Sequence, residues 1–228
     1  MAENRLNLGH PAEAEAFQAE AQALRAEGPG QAELAVRVML RTGQLDQARR
    51  VLEKRAQAER QDPVLRPRAH RETLLLLALI LVFQGEGEAA YHRAIEGTER
   101  GEALASPFIT AVGKMRQGHA WLLRDAERGY AEACRCYRDA IRQSETLAVP
   151  RLKVEAYWGL CRAHGFRGAI DAAERAAERG LALAREAGDE WIATLILVSL
   201  GAGYMIAGQY EKAGAHLIRA RNGFHECG

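Results

Sequence analysis

Apolar residues return along this chain at i, i+3, i+4 and i+7, the spacing that gives a helix one inward stripe. Phe108, Ala111, Val112, Met115 and Leu122 form one such stripe. The run Leu74 to Phe83, LLLLALILVF, is instead apolar on every side. Ten residues fall short of the roughly 20 that span a bilayer, so a fully buried helix is expected there. On this pattern helices are predicted at 11–27, 31–42, 45–60, 67–84, 87–103, 107–124, 129–146, 151–166, 169–186, 189–207 and 209–226. Arg124 to Arg128 reads as a short insertion between two of them.

Proline respects these boundaries. Pro11, Pro63, Pro67, Pro107 and Pro150 fall before or at helix starts, where a missing N–H costs least, and Pro29 sits in a Gly-Pro-Gly turn. Ser106 before Pro107 reads as an N-cap.

The helices also repeat. Leu200–Gly201–x–x–Tyr204 is followed by Gly208–x–Tyr210–x–x–Ala213 and then Ala220. Gly168 and Ala173, Gly85 and Ala90, Gly43 and Ala48, and Gly9 and Ala14 keep the same glycine-to-alanine step, while Gly129, Tyr130 and Ala133 match its second half. The alanines lie 34, 42, 43, 40 and 40 residues apart. Each glycine ends a helix by taking the left-handed conformation. Gly201 and Ala213 let two backbones approach, and Tyr204 fills the gap beside them. One such hairpin cannot bury both faces, but a stack of hairpins can. The pattern thus predicts an all-α fold, a right-handed superhelical solenoid of about five and a half antiparallel helix hairpins over residues 1–228.

Composition narrows the picture. Net charge is +1, which disfavours direct nucleic-acid binding by this segment. Only Lys54, Lys114, Lys153 and Lys212 are lysines among 31 basic residues, a bias that suggests a GC-rich bacterial source. The N-terminus carries no cationic start with a following apolar run, so no signal peptide is visible and a cytoplasmic protein off the membrane is expected. Cys134 and Cys136 are two apart on a helix and point about 200° apart. With Cys161 and Cys227 they read as reduced structural thiols, so no metal or cofactor site is expected.

On the Leu200–Tyr204 and Gly208–Ala213 unit and its copies, the chain resembles a tetratricopeptide-repeat (TPR) array over nearly its whole length. The period near 40 and the Gly188–Asp189 ending are similar to the TPR segments of large bacterial regulators, those of the maltose-regulator (MalT) branch of LuxR-type transcription activators. That resemblance implies an effector- and protein-binding sensor, with a nucleotide-binding module and a helix-turn-helix elsewhere in the protein. Gly113–Lys114 lacks the rest of a phosphate-binding loop, so this chain is expected to be the sensor segment of a longer protein. The other reading is a free-standing scaffold for protein–protein interaction with no transcription role.

In such arrays the first helix of each hairpin lines the concave surface. The positions expected there are Glu33, Arg37, Leu40 and Arg41; Glu72, Leu75, Leu79, Val82 and Phe83; Glu155, Trp158, Arg162 and Phe166; and Leu195, Val198, Ala202, Met205 and Ile206. Trp158 beside Arg162 could hold a peptide, a sugar or an anionic group. The alternative is that Trp158 packs into a neighbouring helix and Arg162 faces water. Arg37 and Arg41, one turn apart, could grip a carboxylate or phosphate, or form a solvated face. Lys114, Arg116 and His119 are a basic patch with the same two readings. His164 stands at the repeat's tyrosine position and reads as packed and structural. No nucleophile has a recognisable base beside it, so an enzyme is not expected. The expected partner is a small effector or a protein segment; Leu217, Ile218 and Phe224 would accept a following helix of a longer protein or, in a homodimer, the last helix of a second copy.

Overall fold

The computed structural model describes residues 31–61, 67–125, 127–147 and 149–227, together with Ala14 and Ala16. Ten helices and no strand occur among them: α1 Gln31–Arg41, α2 Leu45–Gln61, α3 Pro67–Phe83, α4 Gly87–Ala103, α5 Pro107–Arg124, α6 Gly129–Ser144, α7 Pro150–Phe166, α8 Ile170–Ala187, α9 Glu190–Ile206 and α10 Tyr210–Cys227. Consecutive helices pair into five hairpins. The first helices also pack on one another, α3 on α5, α5 on α7 and α7 on α9, and form an inner layer. This is the tetratricopeptide-type solenoid expected from the repeat. The helix predicted at 11–27 lies outside the described residues apart from Ala14 and Ala16.

The small-residue logic of the repeat is visible atom by atom. Ala14, Ala48, Ala90, Ala133, Ala173 and Ala213 are all 2% exposed or less. A Cβ on Gly201 would meet the Leu217 side chain at 2.8 Å and the Ala213 carbonyl at 3.4 Å, so α9 and α10 approach this closely because Gly201 has no side chain. Gly43, Gly85, Gly168 and Gly208 all take the left-handed backbone conformation that ends a helix. Gly129 does not share that role: it opens α6 with its backbone against the Trp121 carbonyl, because the insertion before it makes the turn. There the Asp125 carboxylate accepts from the Glu127 and Arg128 amides at 2.8 and 2.9 Å. Between α4 and α5 the left-handed residue is Ala105, with φ +48°.

Pro67, Pro107 and Pro150 each begin a helix; Pro11, Pro29 and Pro63 lie outside the described residues. Ser106 does occupy the N-cap position of α5, but its side chain makes no capping bond. Asp189 is the residue that caps by side chain, accepting from the Ile192 amide at 3.2 Å. The apolar run in α3 is buried from Leu74 to Val82 except for half-buried Leu76, and Phe83 emerges 37% exposed. Among the described residues no helix is long and apolar enough to cross a membrane.

Candidate functional site

The inner layer lines a half-open cavity of about 410 Å³. Arg37, Leu40 and Arg41 reach it from α1, and Glu72, Leu75, Leu79 and Phe83 from α3. Phe108, Val112 and Arg116 come from α5, Arg151, Leu152, Glu155 and Trp158 from α7, and Trp191 and Ile192 from α9. All five hairpins therefore contribute. Thirteen of the nineteen lining residues are apolar, and the polar ones are four arginines and two glutamates, which makes the wall amphipathic and cationic.

An aromatic corner forms where three hairpins meet. The Phe83 ring stacks on Trp158 at 6.3 Å and lies 6.5 Å from Trp191. Trp158 is 5% exposed, and its indole N–H donates to the Ser199 hydroxyl at 3.0 Å. It thus lines the cavity and packs into α9 at once.

Behind the corner runs a buried polar chain. Arg116 donates from Nε to the Leu75 carbonyl at 3.2 Å, and from its terminal nitrogen to the Glu155 carboxylate. Glu155 also faces His119 Nε2 at 3.3 Å, and His119 Nδ1 meets the Tyr137 hydroxyl at 2.8 Å. An ionised carboxylate only accepts, so Nε2 carries the proton and Nδ1 accepts from Tyr137. Burial, with Arg116 and Arg162 adding to it, holds the His119 pKa well below its ordinary value, so the ring is neutral. Burial, and then the charges of Arg37 and Arg151, lower the Arg116 pKa to about 9. Of the two readings of Lys114, Arg116 and His119, the solvated one is corrected for Arg116 and His119, which are buried on the inner layer.

At the other end of the cavity the first described hairpin meets the last. Arg41 Nη2 stands 3.8 Å from Asp189 Oδ1, and both side chains are almost fully buried. The Arg41 guanidinium lies 5.0 Å over the Trp191 ring, and Arg151 Nε reaches Asp189 Oδ2 at 2.9 Å. A solvated face for Arg41 is therefore excluded.

The structure brings together Arg37, Arg41, Glu155 and Trp158 of the six predicted site residues. It separates the other two. Arg162 lies over the Phe166 ring at 5.4 Å, and both stand outside the cavity lining. The expected Trp158–Arg162 partnership is thus replaced by Arg162–Phe166. Val82 turns into the core rather than the groove. Leu195, Val198, Ala202, Met205 and Ile206 stand outside the cavity, with Met205 and Ile206 exposed. The side chain of Glu33 lies outside what the structure describes. Sequence reasoning missed Arg151 and Trp191 on the wall and Asp189 behind it. The structural reading of His164 agrees with its geometry: it shares a 2.9 Å hydrogen bond with Tyr130 and is half-buried.

No protein-family profile and no curated protein matches the chain. Solved structures do. BtubC from P. vanneervenii is 18% identical, with a TM-score of 0.59 over 98% of this chain and 91% of that one. A Rap protein complexed with competence and sporulation factor is 15% identical, with a TM-score of 0.65 over 86% of this chain and 64% of Rap. A Pyrococcus horikoshii signal-transduction ATPase with numerous domains, which has a tetratricopeptide repeat sensor, is 16% identical, with a TM-score of 0.61 over 87% of this chain and 30% of that protein. At these identities the likeness is one of fold. This chain spans under two thirds of Rap and under a third of the ATPase.

Proposed function

We propose that this chain is a non-enzymatic recognition module whose concave surface binds a small effector or a protein segment, and that it serves as the sensor part of a bacterial transcription regulator. The observation that carries the reading is the cavity itself. It is preformed, of a volume typical of ligand sites, and built from all five hairpins, so an occupant would couple the curvature of the whole solenoid to binding. The Rap protein holds a factor and the signal-transduction ATPase has a sensor on the same fold, which supports the class of role. Burial pushes the Cys136 thiol up to about 11 and Cys161 to about 12, which keeps both thiols protonated and poor nucleophiles.

The test is retention. A cell extract is passed over the immobilised native chain and over Leu79→Trp, which fills the cavity with an indole. A component held by the native chain and lost on the filled one supports the reading; equal retention contradicts it. The free-standing scaffold is separated from the regulator by the flanking gene sequence, where a phosphate-binding loop upstream or a helix-turn-helix downstream marks the regulator. On the last helix Phe224 is exposed and Leu217 half-buried. The equivalent positions of α8 and α6, Ala177 with Ala184 and Tyr137 with Ser144, are buried beneath the next hairpin. We propose that these apolar residues of α10 pair with a second copy of the chain; a monomer in sedimentation at high concentration contradicts it.

A further inference from the structure

The binding face has a property that an open groove lacks: it is bridged. Arg41 belongs to the first described hairpin and Asp189 to the start of the last, yet their buried ion pair spans the concave surface. Trp191 under Arg41 and Arg151 against Asp189 complete the bridge. α1 and α9 meet here through long side chains, not through packed backbones. An extended segment running along the groove would have to displace these groups and leave a buried charge unpaired, which is strongly unfavourable. A small molecule inside the bridge displaces nothing.

The chemistry of the cavity narrows the occupant further. Leu75, Leu79, Val112 and Leu152 give it aliphatic walls, and Phe83 with Trp158 close one end. Arg37, Arg116 and Arg151 converge on it from three different helices. They are near enough for Arg37 and Arg151 each to disfavour the charge on Arg116. Glu155 is engaged by Arg116 and His119, and Asp189 by Arg41 and Arg151. Four arginines on the wall face Glu72 and Glu155 on it and Asp189 behind it, so the site carries one net positive charge in a largely apolar setting, an arrangement that an anion relieves. A single delocalised charge suits this wall better than a phosphate dianion, whose desolvation against so much hydrocarbon costs more.

Resting on the reading of the concave surface as a binding face, we propose that the cavity takes a small apolar carboxylic acid, its carboxylate among Arg37, Arg116 and Arg151 and its hydrocarbon or aromatic body against Leu75, Leu79, Val112 and Trp158. Recognition is then of two parts, a guanidinium–carboxylate contact and an apolar fill.

The experiment titrates the whole chain with octanoate and with indole-3-propionate, followed by calorimetry. 1-Octanol, inorganic phosphate and an apolar decapeptide serve as comparisons. The variants are Arg37→Gln, which keeps the buried Arg116 pair, and Leu79→Trp; circular dichroism confirms that both fold. One of the two acids is expected to bind one to one, at least tenfold tighter than 1-octanol, to weaken at least tenfold in Arg37→Gln, and to be lost in Leu79→Trp. Equal binding of 1-octanol overturns the carboxylate contact, and binding that survives Leu79→Trp overturns the place. Phosphate binding as tightly as the acids overturns the apolar fill. Binding of the decapeptide alone, blocked by Leu79→Trp, overturns the small acid and leaves the binding face standing. If neither acid binds and the extract experiment shows no Leu79-dependent retention, both readings fall.

Discussion

Helix α7 runs through two different surroundings, although its inward stripe is continuous. In its first half Glu155 and Trp158 face the cavity, and Trp158 is 5% exposed. In its second half Arg162 and Phe166 form a pair with each other, and Phe166 is 48% exposed. The stripe puts all four on the inner layer, but what stands opposite decides their fate. Around the first half stand α3, α5, the end of α1 and the start of α9; the second half lies beyond the cavity. The cavity itself drifts along the helices, from the last turn of α1 to the first turns of α7 and α9. In a superhelix, then, the repeat fixes which face points inward, while the accumulated curl fixes which turn of that face lines the cavity.

Four substitutions sharpen this contrast between the closed and open parts. The largest effect is expected at the bridge. Asp189→Ala removes the shared partner of Arg41 and Arg151 together with the α9 cap, and should cost about 3–5 kcal/mol in urea unfolding. A loss below about 1 kcal/mol would mean that the bridge is open in solution. The second effect is acid lability centred on His119. Its folded pKa is depressed, so below the ordinary value near 6.5 the unfolded chain binds more protons, and the stability present at neutral pH is lost as pH falls. From pH 7 to 5 this should amount to about 1–2 kcal/mol and should shrink by about that much in His119→Gln. Half-buried His164 and His216, also depressed by burial, leave a residual slope. Third, Trp158→Phe gives up the bond to Ser199 and should cost about 1 kcal/mol, the worth of one hydrogen bond, since the hydroxyl keeps its bond to the Leu195 carbonyl. Smallest, Phe166→Ala on the open side should cost about 1 kcal/mol or less, since it gives up only a half-exposed ring and its contact with Arg162. A Phe166 effect as large as that of Asp189 would erase the distinction between the two parts.

Much of the fold was legible because its determinants are local. A small residue where two helices cross, a glycine where the chain must take a left-handed turn and a proline at a first turn each act within a few residues. The exception is also local in origin: between α5 and α6 the inserted Asp125–Arg128 segment makes the turn, so Gly129 opens a helix instead of ending one. Half of the site was not legible in this way. Asp189 read as part of a turn, and nothing near it in the chain announces Arg41, 148 positions away. Their meeting is set by rotations summed over the stacked hairpins. Arg116 and His119 did carry a signal that was read differently: two polar residues between buried Met115 and Ala120 lie on the apolar stripe, where solvated side chains do not belong. Trp158 lies on the inner layer as expected, whereas Arg162 is one turn further along than the cavity reaches.

The account depends most on the two ends of the solenoid meeting across the concave surface. A double-mutant cycle on Arg41→Met and Asp189→Asn, read by urea unfolding, measures that contact directly. The bridge predicts a coupling energy of about 1 kcal/mol or more between the two positions. Strictly additive losses, with coupling below about 0.3 kcal/mol, would show that Arg41 and Asp189 do not meet and that the cavity is an open groove.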